Sequence, residues 1–217
     1  MKKLLPILTF VFLVCCKSAP GPGRYSTPLE KLVEGNNRFV KGKPVHPDET
    51  LERIRLLKKG QEPFVAIVSC SDSRVPPELI FDQGFGDIFS IRTAGNIIGD
   101  YELGSIEYAV EHLHCSLVVV LGHEGCGAIR AYLEHSGEKG HDHIQKIIDH
   151  ISEEAEEKVL PDSLKHNIDH AITANIHHGV NSLKNSEPLL KERNQKNAVQ
   201  IVGALYDLDT GKVIFMN

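Results

Sequence analysis

The sequence has no block of lysines or arginines, no internal repeat and no apolar run long enough to cross a bilayer comfortably. The missing basic block excludes an extended nucleic-acid groove, and the net charge of -5 argues only for solubility. A length of 217 residues without a repeat fits one domain with one sizeable core and gives no sign of a second domain. The apolar content of 41% is ordinary for a globular protein, so we expect the bulk of the chain to fold.

The first 16 residues have the pattern of an export signal. Two lysines precede an apolar run over residues 4–14, which has the length of a signal-peptide core rather than of a membrane span. Leu13 lies three positions before Cys16, and this pattern resembles the lipobox of bacterial lipoproteins, where the cysteine becomes the lipidated first residue. Lipidation at Cys15 and a plain secretory signal are the alternatives. We expect a signal peptide over residues 1–16 and an exported protein, periplasmic or at the cell surface, anchored by lipid at Cys16.

The rest of the chain alternates strand and helix patterns. Residues 17–26 are rich in proline and glycine and predict a flexible tether, which leaves residues 27–217 as one domain. Continuous apolar runs predict buried strands at residues 64–68, 88–91, 117–121, 199–205 and 213–215, and helical periodicity marks residues 48–59, 104–114, 141–160 and 167–183. Thr27 and Pro28 mark the start of an earlier helix. The pattern predicts an α/β fold with a mostly parallel central sheet, flanking helices and an antiparallel C-terminal extension.

Two predicted strands end in residues that bind metals. Cys70 follows the first strand, and His123 and Cys126 follow the third. Ligands bind beyond the carboxyl ends of parallel strands, so the three side chains can meet at one edge of the sheet. Two thiolates and one imidazole suit zinc, and three protein ligands with an open fourth position are typical of a catalytic rather than a structural site. The alternative is a Cys70–Cys126 disulfide, the default for two cysteines in an exported protein.

The motif Cys70-Ser-Asp72-Ser-Arg74, followed by His123-x-x-Cys126, resembles the β-class carbonic anhydrases. Further similar segments begin at Arg92, Ser105 and Gly203, so the resemblance covers the chain from about Thr27 to its C-terminus. It implies the β-carbonic anhydrase fold and one Zn²⁺ per subunit. The implied reaction is the reversible hydration of carbon dioxide to bicarbonate and a proton by zinc-bound hydroxide.

The resemblance also assigns roles to residues. Cys70, His123 and Cys126 match the zinc ligands, and Asp72 and Arg74 match the catalytic pair beside the metal. The matches to substrate-binding positions are Gln61, Phe89, Ala94, Tyr108 and Gly127. In the family this pocket lies at a dimer interface, so we expect a homodimer or a dimer-based oligomer in which some residues serve the neighbouring subunit's zinc.

Asp72 has a second role in some family members, where it coordinates the zinc and closes the site. Members regulated in this way by bicarbonate have a tryptophan three residues before the first zinc cysteine. Here that position is Ile67, and the chain contains no tryptophan. We therefore expect an open site in which Asp72 pairs with Arg74.

Two other functions compete with carbon dioxide hydration. The same site could act on a sulfur analogue such as carbonyl sulfide or carbon disulfide, or the chain could be a zinc-binding protein that has lost catalysis. The intact ligand set and the Asp72-Arg74 pair argue against the loss of catalysis. The sequence does not identify a proton shuttle, and His177 and His178 are interpreted first as residues of a helix surface.

Overall fold

Five strands form one central sheet in the computed structural model, which describes residues 25–135, 142–159, 161, 163–164 and 166–216. The strands are β1 (Val65–Cys70), β2 (Ile88–Thr93), β3 (Leu117–His123), β4 (Gln200–Tyr206) and β5 (Val213–Met216). Their order in the sheet is β2-β1-β3-β4-β5, with β5 antiparallel to β4 and all other pairs parallel. This arrangement confirms the predicted fold class.

Nine helices in the described part of the chain flank this sheet, together with a short 3₁₀ turn at Ala94–Asn96. They are α1 (Pro28–Val40), α2 (Leu51–Leu57), α3 (Pro77–Ile80), α4 (Asp100–Glu111), α5 (Gly127–Leu133), α6 (His143–Glu153), α7 (Ala155–Lys158), α8 (Ile168–Asn185) and α9 (Leu189–Gln195). The predicted helix start is present, because the Thr27 hydroxyl accepts a hydrogen bond from the Glu30 N–H and Pro28 is the first helical residue.

Two predicted helices differ from the observed ones. The helix expected at residues 104–114 already begins at Asp100, because the Glu102 carboxylate accepts a hydrogen bond from the Gly99 N–H at 3.0 Å and caps an earlier start. The single helix expected over residues 141–160 is wrong. The backbone leaves the helical conformation at Glu154 (ψ 130°), and α7 then packs against α8 as a separate turn.

Apolar side chains cover both faces of the sheet, so β1 and β3 are buried throughout. One face packs against Ile106 of α4, Ile151 of α6 and Ile176 of α8, whereas the other packs against Leu32 of α1 and Ile80 of α3. Continuous burial on both faces explains why these strands lack alternation in the sequence.

Helix α8 approaches the sheet closely over two glycines. A Cβ atom placed on Gly122 of β3 would lie 2.6 Å from Cδ1 of Ile176, and one placed on Gly203 of β4 would lie 2.7 Å from its Cγ2. Side-chain atoms do not approach one another this closely, so the glycines make the room in which Ile176 packs.

The buried carboxylate of Asp82, which lies just after α3, is hydrogen-bonded to α1 and to the segment that follows α1. Asp82 accepts a hydrogen bond from Arg38 at 2.5 Å, and its oxygens also accept hydrogen bonds from the N–H groups of Val45 and His46 at 2.9–3.1 Å. Burial raises the pKa of this carboxyl group, but these hydrogen bonds outweigh burial and hold the pKa below its ordinary value. Asp82 is therefore a charged part of the folded core.

The predicted signal peptide, with Cys15 and Cys16, and all but the last two residues of the predicted tether lie outside the described residues. Within the described ranges, none of the helices combines the length and the apolar character that crossing a membrane requires.

Candidate metal centre

The ends of β1 and β3 bring three candidate ligands together. Cys70 is the last residue of β1, His123 is the last residue of β3, and Cys126 lies immediately before α5. Because β1 and β3 are parallel neighbours, both strands end at the same edge of the sheet. The ligand atoms of the three side chains lie within 4.8 Å of one another, and the residues are between 0% and 5% exposed.

The geometry of this set fits a zinc ion. Cys70 Sγ and Cys126 Sγ are 4.0 Å apart and unbonded, about twice the length of a disulfide. Two sulfurs at about 2.3 Å from one tetrahedral zinc ion lie roughly 3.8 Å apart, close to this separation. His123 Nδ1 donates a hydrogen bond to the Glu124 carbonyl at 2.8 Å, and the buried Nε2 has no hydrogen-bond partner among the described residues. This tautomer presents an Nε2 lone pair as a ligand.

Hydrogen bonds favour the thiolate form of Cys70. Cys126 Sγ lies within hydrogen-bond distance of Cys70 Sγ, at 4.0 Å, and the backbone N–H groups of Asp72 and Gly95 donate to Cys70 Sγ at 3.4 and 3.3 Å. They hold the pKa of Cys70 well below that of an ordinary thiol, even though burial opposes this shift. The Cys70 thiolate and burial in turn raise the pKa of Cys126. The chain thus provides one ready thiolate, and a bound divalent cation would deprotonate the second.

Asp72 and Arg74 form a two-pronged ion pair beside this set. Asp72 Oδ1 accepts from Arg74 Nε at 2.9 Å, Oδ2 accepts from Nη2 at 2.7 Å, and the Arg74 N–H also donates to Oδ1. These contacts hold the pKa of Asp72 far below its usual value. Asp72 Oδ2 also lies 3.9 Å from His123 Nε2. An ionised carboxylate is therefore fixed at the edge of the ligand set.

Arg92 supports the same loop from the neighbouring strand β2. Its Nε donates to the Cys70 carbonyl at 3.1 Å, and its Nη2 donates to the Asp72 carbonyl at 2.7 Å. The sequence marks Arg92 only as the start of a similar segment and gives it no role. The two contacts identify it as a positioning residue for the loop that holds Cys70 and Asp72.

Two of the predicted substrate-binding residues lie at the metal edge. Ala94 follows Thr93, the register partner of Cys70, and Gly127 begins α5 directly after Cys126. Both therefore lie beside the ligand set of their own chain.

Three other predicted substrate-binding residues lie away from that edge. Phe89 pairs with Ala66, four residues before Cys70, which places it roughly 13 Å back along the strand. The Tyr108 ring packs on Phe89 with its centroid 6.1 Å away, and Gln61 precedes β1 at the opposite end from Cys70. One chain therefore does not bring Gln61, Phe89 and Tyr108 to its own candidate metal centre.

Comparisons with known proteins agree with the predicted family and fold. The sequence model of the carbonic anhydrase family matches residues 65–213. Carbonic anhydrase 2 of Mycobacterium tuberculosis (strain H37Rv) is 39% identical over 188 residues, which cover 84% of this chain and 88% of that protein. The chain belongs to the carbonic anhydrase family. A Mycolicibacterium smegmatis carbonic anhydrase is 46% identical over 123 residues, covering 56% of this chain and 60% of the relative.

Solved structures identify the class within the family. The β-carbonic anhydrase CcaA superposes with a TM-score of 0.68 at 28% identity, covering 87% of this chain and 95% of that one. A tetrameric β-carbonic anhydrase from Sordaria macrospora has the same fold, with a TM-score of 0.66 at 23% identity and coverage of 87% and 96%. These likenesses confirm the predicted class, so the chain is a β-class carbonic anhydrase.

Proposed function

We propose that this carbonic anhydrase hydrates carbon dioxide reversibly with one Zn²⁺ per subunit, held by Cys70, His123 and Cys126. The observation that carries the proposal is the buried, unbonded Cys₂His set, in which His123 Nε2 has no hydrogen-bond partner in the described part of the chain. A zinc ion held there would supply a hydroxide nucleophile near neutral pH, because zinc lowers the pKa of a coordinated water to about 7.

Asp72 orients the nucleophile in this proposal. Its carboxylate is ionised and accepts hydrogen bonds, and Arg74 holds it in place by two side-chain contacts. The same grip keeps Asp72 from becoming a fourth metal ligand, so we propose an open site at neutral pH. Asp72 bound to the metal in a crystal structure of the zinc-loaded protein at that pH would refute the open site.

A second copy of the chain completes the substrate pocket. Phe89 and Tyr108 form an aromatic pair remote from Cys70 of their own chain, and Tyr108 is 47% exposed in the single chain. An apolar pocket suits carbon dioxide, which carries no charge. The Gln61 amide would donate a hydrogen bond to the oxygen that becomes negative during hydration. We therefore propose that these residues serve the metal centre of a neighbouring subunit in a dimer or a dimer-based oligomer.

The main test is stopped-flow hydration of carbon dioxide by the purified chain, with bound zinc measured on the same sample. We expect activity in proportion to bound zinc, and Cys126→Ser should lose both metal and activity. Cys115→Ser is the matched control, because Cys115 is buried in the core against the Pro63 carbonyl, outside the ligand set. Fully zinc-loaded protein without hydration activity would contradict the proposal. A parallel assay with carbonyl sulfide tests the sulfur analogue.

We also propose that the chain is exported and anchored by lipid at Cys16. The support is the N-terminal pattern alone, an apolar run followed by a lipobox-like cysteine. Radiolabelled palmitate supplied to expressing bacteria should label the wild-type chain and the Cys15→Ser variant but not Cys16→Ser. Label retained in Cys16→Ser and lost in Cys15→Ser would move the anchor to Cys15.

A further inference from the structure

A second group of side chains that can bind metals lies on the face of the sheet covered by α4, α6 and α8, where α6 meets α8. His150 belongs to α6, Glu154 lies at the end of that helix, and His178 belongs to α8. Their ligand atoms lie within 4.8 Å of one another, and the rings of His150 and His178 stand edge to face with centroids 6.3 Å apart. Two imidazoles and one carboxylate form a ligand set that binds zinc and other divalent transition metals.

The carboxylate of this group is deeply buried. Glu154 is 1% exposed, and both of its carboxylate oxygens are buried. His150 and His178 are half-buried beside it.

A further carboxylate orients His178 as a ligand. His178 Nδ1 donates to Glu156 Oε2 at 2.7 Å, and Asn181 donates to the other oxygen of the same carboxylate at 2.7 Å. Burial raises the pKa of Glu156, but these hydrogen bonds outweigh burial and keep the group ionised. Glu156 therefore accepts a hydrogen bond from the Nδ1–H group of His178, and in this tautomer Nε2 carries the lone pair that can bind a metal. Metal-binding histidines usually have such a carboxylate partner.

A small polar cavity adjoins the group. It is lined by His150, Glu154 and His178 and by Asn96, Asn175 and Ser182. Asn96 is 3% exposed, and its side-chain N–H₂ group has no hydrogen-bond partner within the described ranges. The cavity is roughly large enough for one water molecule, which would complete a four-coordinate metal and could accept a hydrogen bond from Asn96.

We propose that His150, Glu154 and His178 form a second binding site for a divalent transition-metal ion of the zinc type, separate from the Cys70 set. The two sites share one segment of backbone, because Asn175 of the cavity donates to the Gly95 carbonyl at 2.8 Å and the Gly95 N–H donates to Cys70 Sγ. The alternative is a metal-free polar cluster that joins α6 and α7 to α8.

The test measures metal stoichiometry on the untagged, purified chain by equilibrium dialysis against Zn²⁺ or Co²⁺ and elemental analysis. We expect two equivalents per chain. Cys70→Ser/Cys126→Ser should keep one equivalent of Co²⁺ and lose the near-ultraviolet thiolate-to-cobalt band. His150→Ala/Glu154→Gln should also keep one equivalent but retain that band, which shows in the same sample that the Cys₂His site is still assembled.

Two further variants sharpen the assignment. Glu156→Gln should weaken binding of the second equivalent by about 10- to 100-fold, the usual effect of removing the partner of a ligating histidine. His177→Ala, on the same helix but outside the group, should still bind two equivalents. One equivalent in the wild-type chain would overturn the proposal, as would complete loss of metal in the double cysteine variant. Those wild-type and cysteine-variant measurements decide the question even if a helix variant fails to fold.

Discussion

The close contact between α8 and the sheet gives a sharp prediction for Gly122→Ala. The new methyl carbon would lie 2.6 Å from two side-chain atoms of Ile176, about 0.8 Å inside an ordinary contact of 3.4 Å. Overpacking of this kind typically costs about 1–3 kcal/mol. For a chain of this size we expect the Tm to fall by roughly 2–12 °C. Calorimetric or circular-dichroism melting of the zinc-loaded protein measures this fall.

Gly203→Ala is the matched control. Its methyl carbon would lie 2.7 Å from another atom of the same Ile176, so the loss of stability should be similar. Gly122, however, directly precedes the candidate ligand His123, whereas Gly203 lies on β4. We therefore expect Gly122→Ala to weaken zinc binding as well, and Gly203→Ala to lower stability while leaving the zinc content unchanged.

A double-mutant cycle tests the physical cause. Ile176→Ala alone should cost about 2–5 kcal/mol, because it removes a buried side chain. Combined with Gly122→Ala it also removes the overlap, so the double variant should be more stable than the sum of the two single effects by roughly 1–3 kcal/mol. Simple additivity of the two changes would refute overlap with Ile176 as the origin of the effect.

Three further predictions concern Asp82, Cys115 and Arg92. Asp82→Asn should cost about 1–3 kcal/mol in denaturant unfolding at pH 7, because the charge-assisted hydrogen bonds from Arg38 and from two backbone N–H groups are weakened. Folding lowers the pKa of Asp82 from about 3.9, so the stabilisation by its carboxylate is present above that pH and is lost as the pH falls through the lower folded pKa. The free energies of unfolding of the wild type and of Asp82→Asn should therefore converge in acid. A constant difference between them at every pH would contradict this reasoning. Burial raises the pKa of Cys115 to about 11, so iodoacetamide at pH 8 should not modify this thiol until the protein unfolds. Mass spectrometry of the treated protein measures the modification. Rapid labelling of Cys115 in the folded protein would contradict its burial. Arg92→Lys keeps the charge but loses the paired hydrogen bonds to the carbonyls of Cys70 and Asp72. The rate of carbon dioxide hydration in stopped-flow should then fall about 10- to 100-fold while the circular dichroism spectrum is unchanged. An undiminished rate would exclude a positioning role for Arg92.

The sheet and the ligand set could be predicted from the sequence because each depends on a local pattern. Strands β1 and β3 are buried on both faces and therefore appear as continuous apolar runs. Cys70 and His123 end those strands, so the parallel topology alone brings them to one edge. Their chemistry and their spacing could both be read before any coordinates were known.

Other features depend on contacts between distant segments and leave no local pattern. The break at Glu154 has neither a proline nor a glycine to mark it, and it follows from the packing of α7 against α8. The second ligand group joins His150 and Glu154 to His178, on a helix that begins 14 residues after Glu154. The role of Arg92 rests on two backbone carbonyls, one at the end of β1 and one in the loop that follows it, which no side-chain motif records.

The separation of Phe89 and Gln61 from Cys70 along the strand direction of the sheet has a genetic consequence. On the proposed pairing, each chain donates its metal ligands to one centre and its Gln61 amide to the other. Two inactive alleles, Cys126→Ser and Gln61→Ala, would then complement each other, since a mixed dimer of these chains contains one intact centre. Random pairing of equal amounts would restore roughly a quarter of the wild-type centres. On this proposed pairing, the unit of inheritance would be the single chain and the unit of catalysis would be the pair.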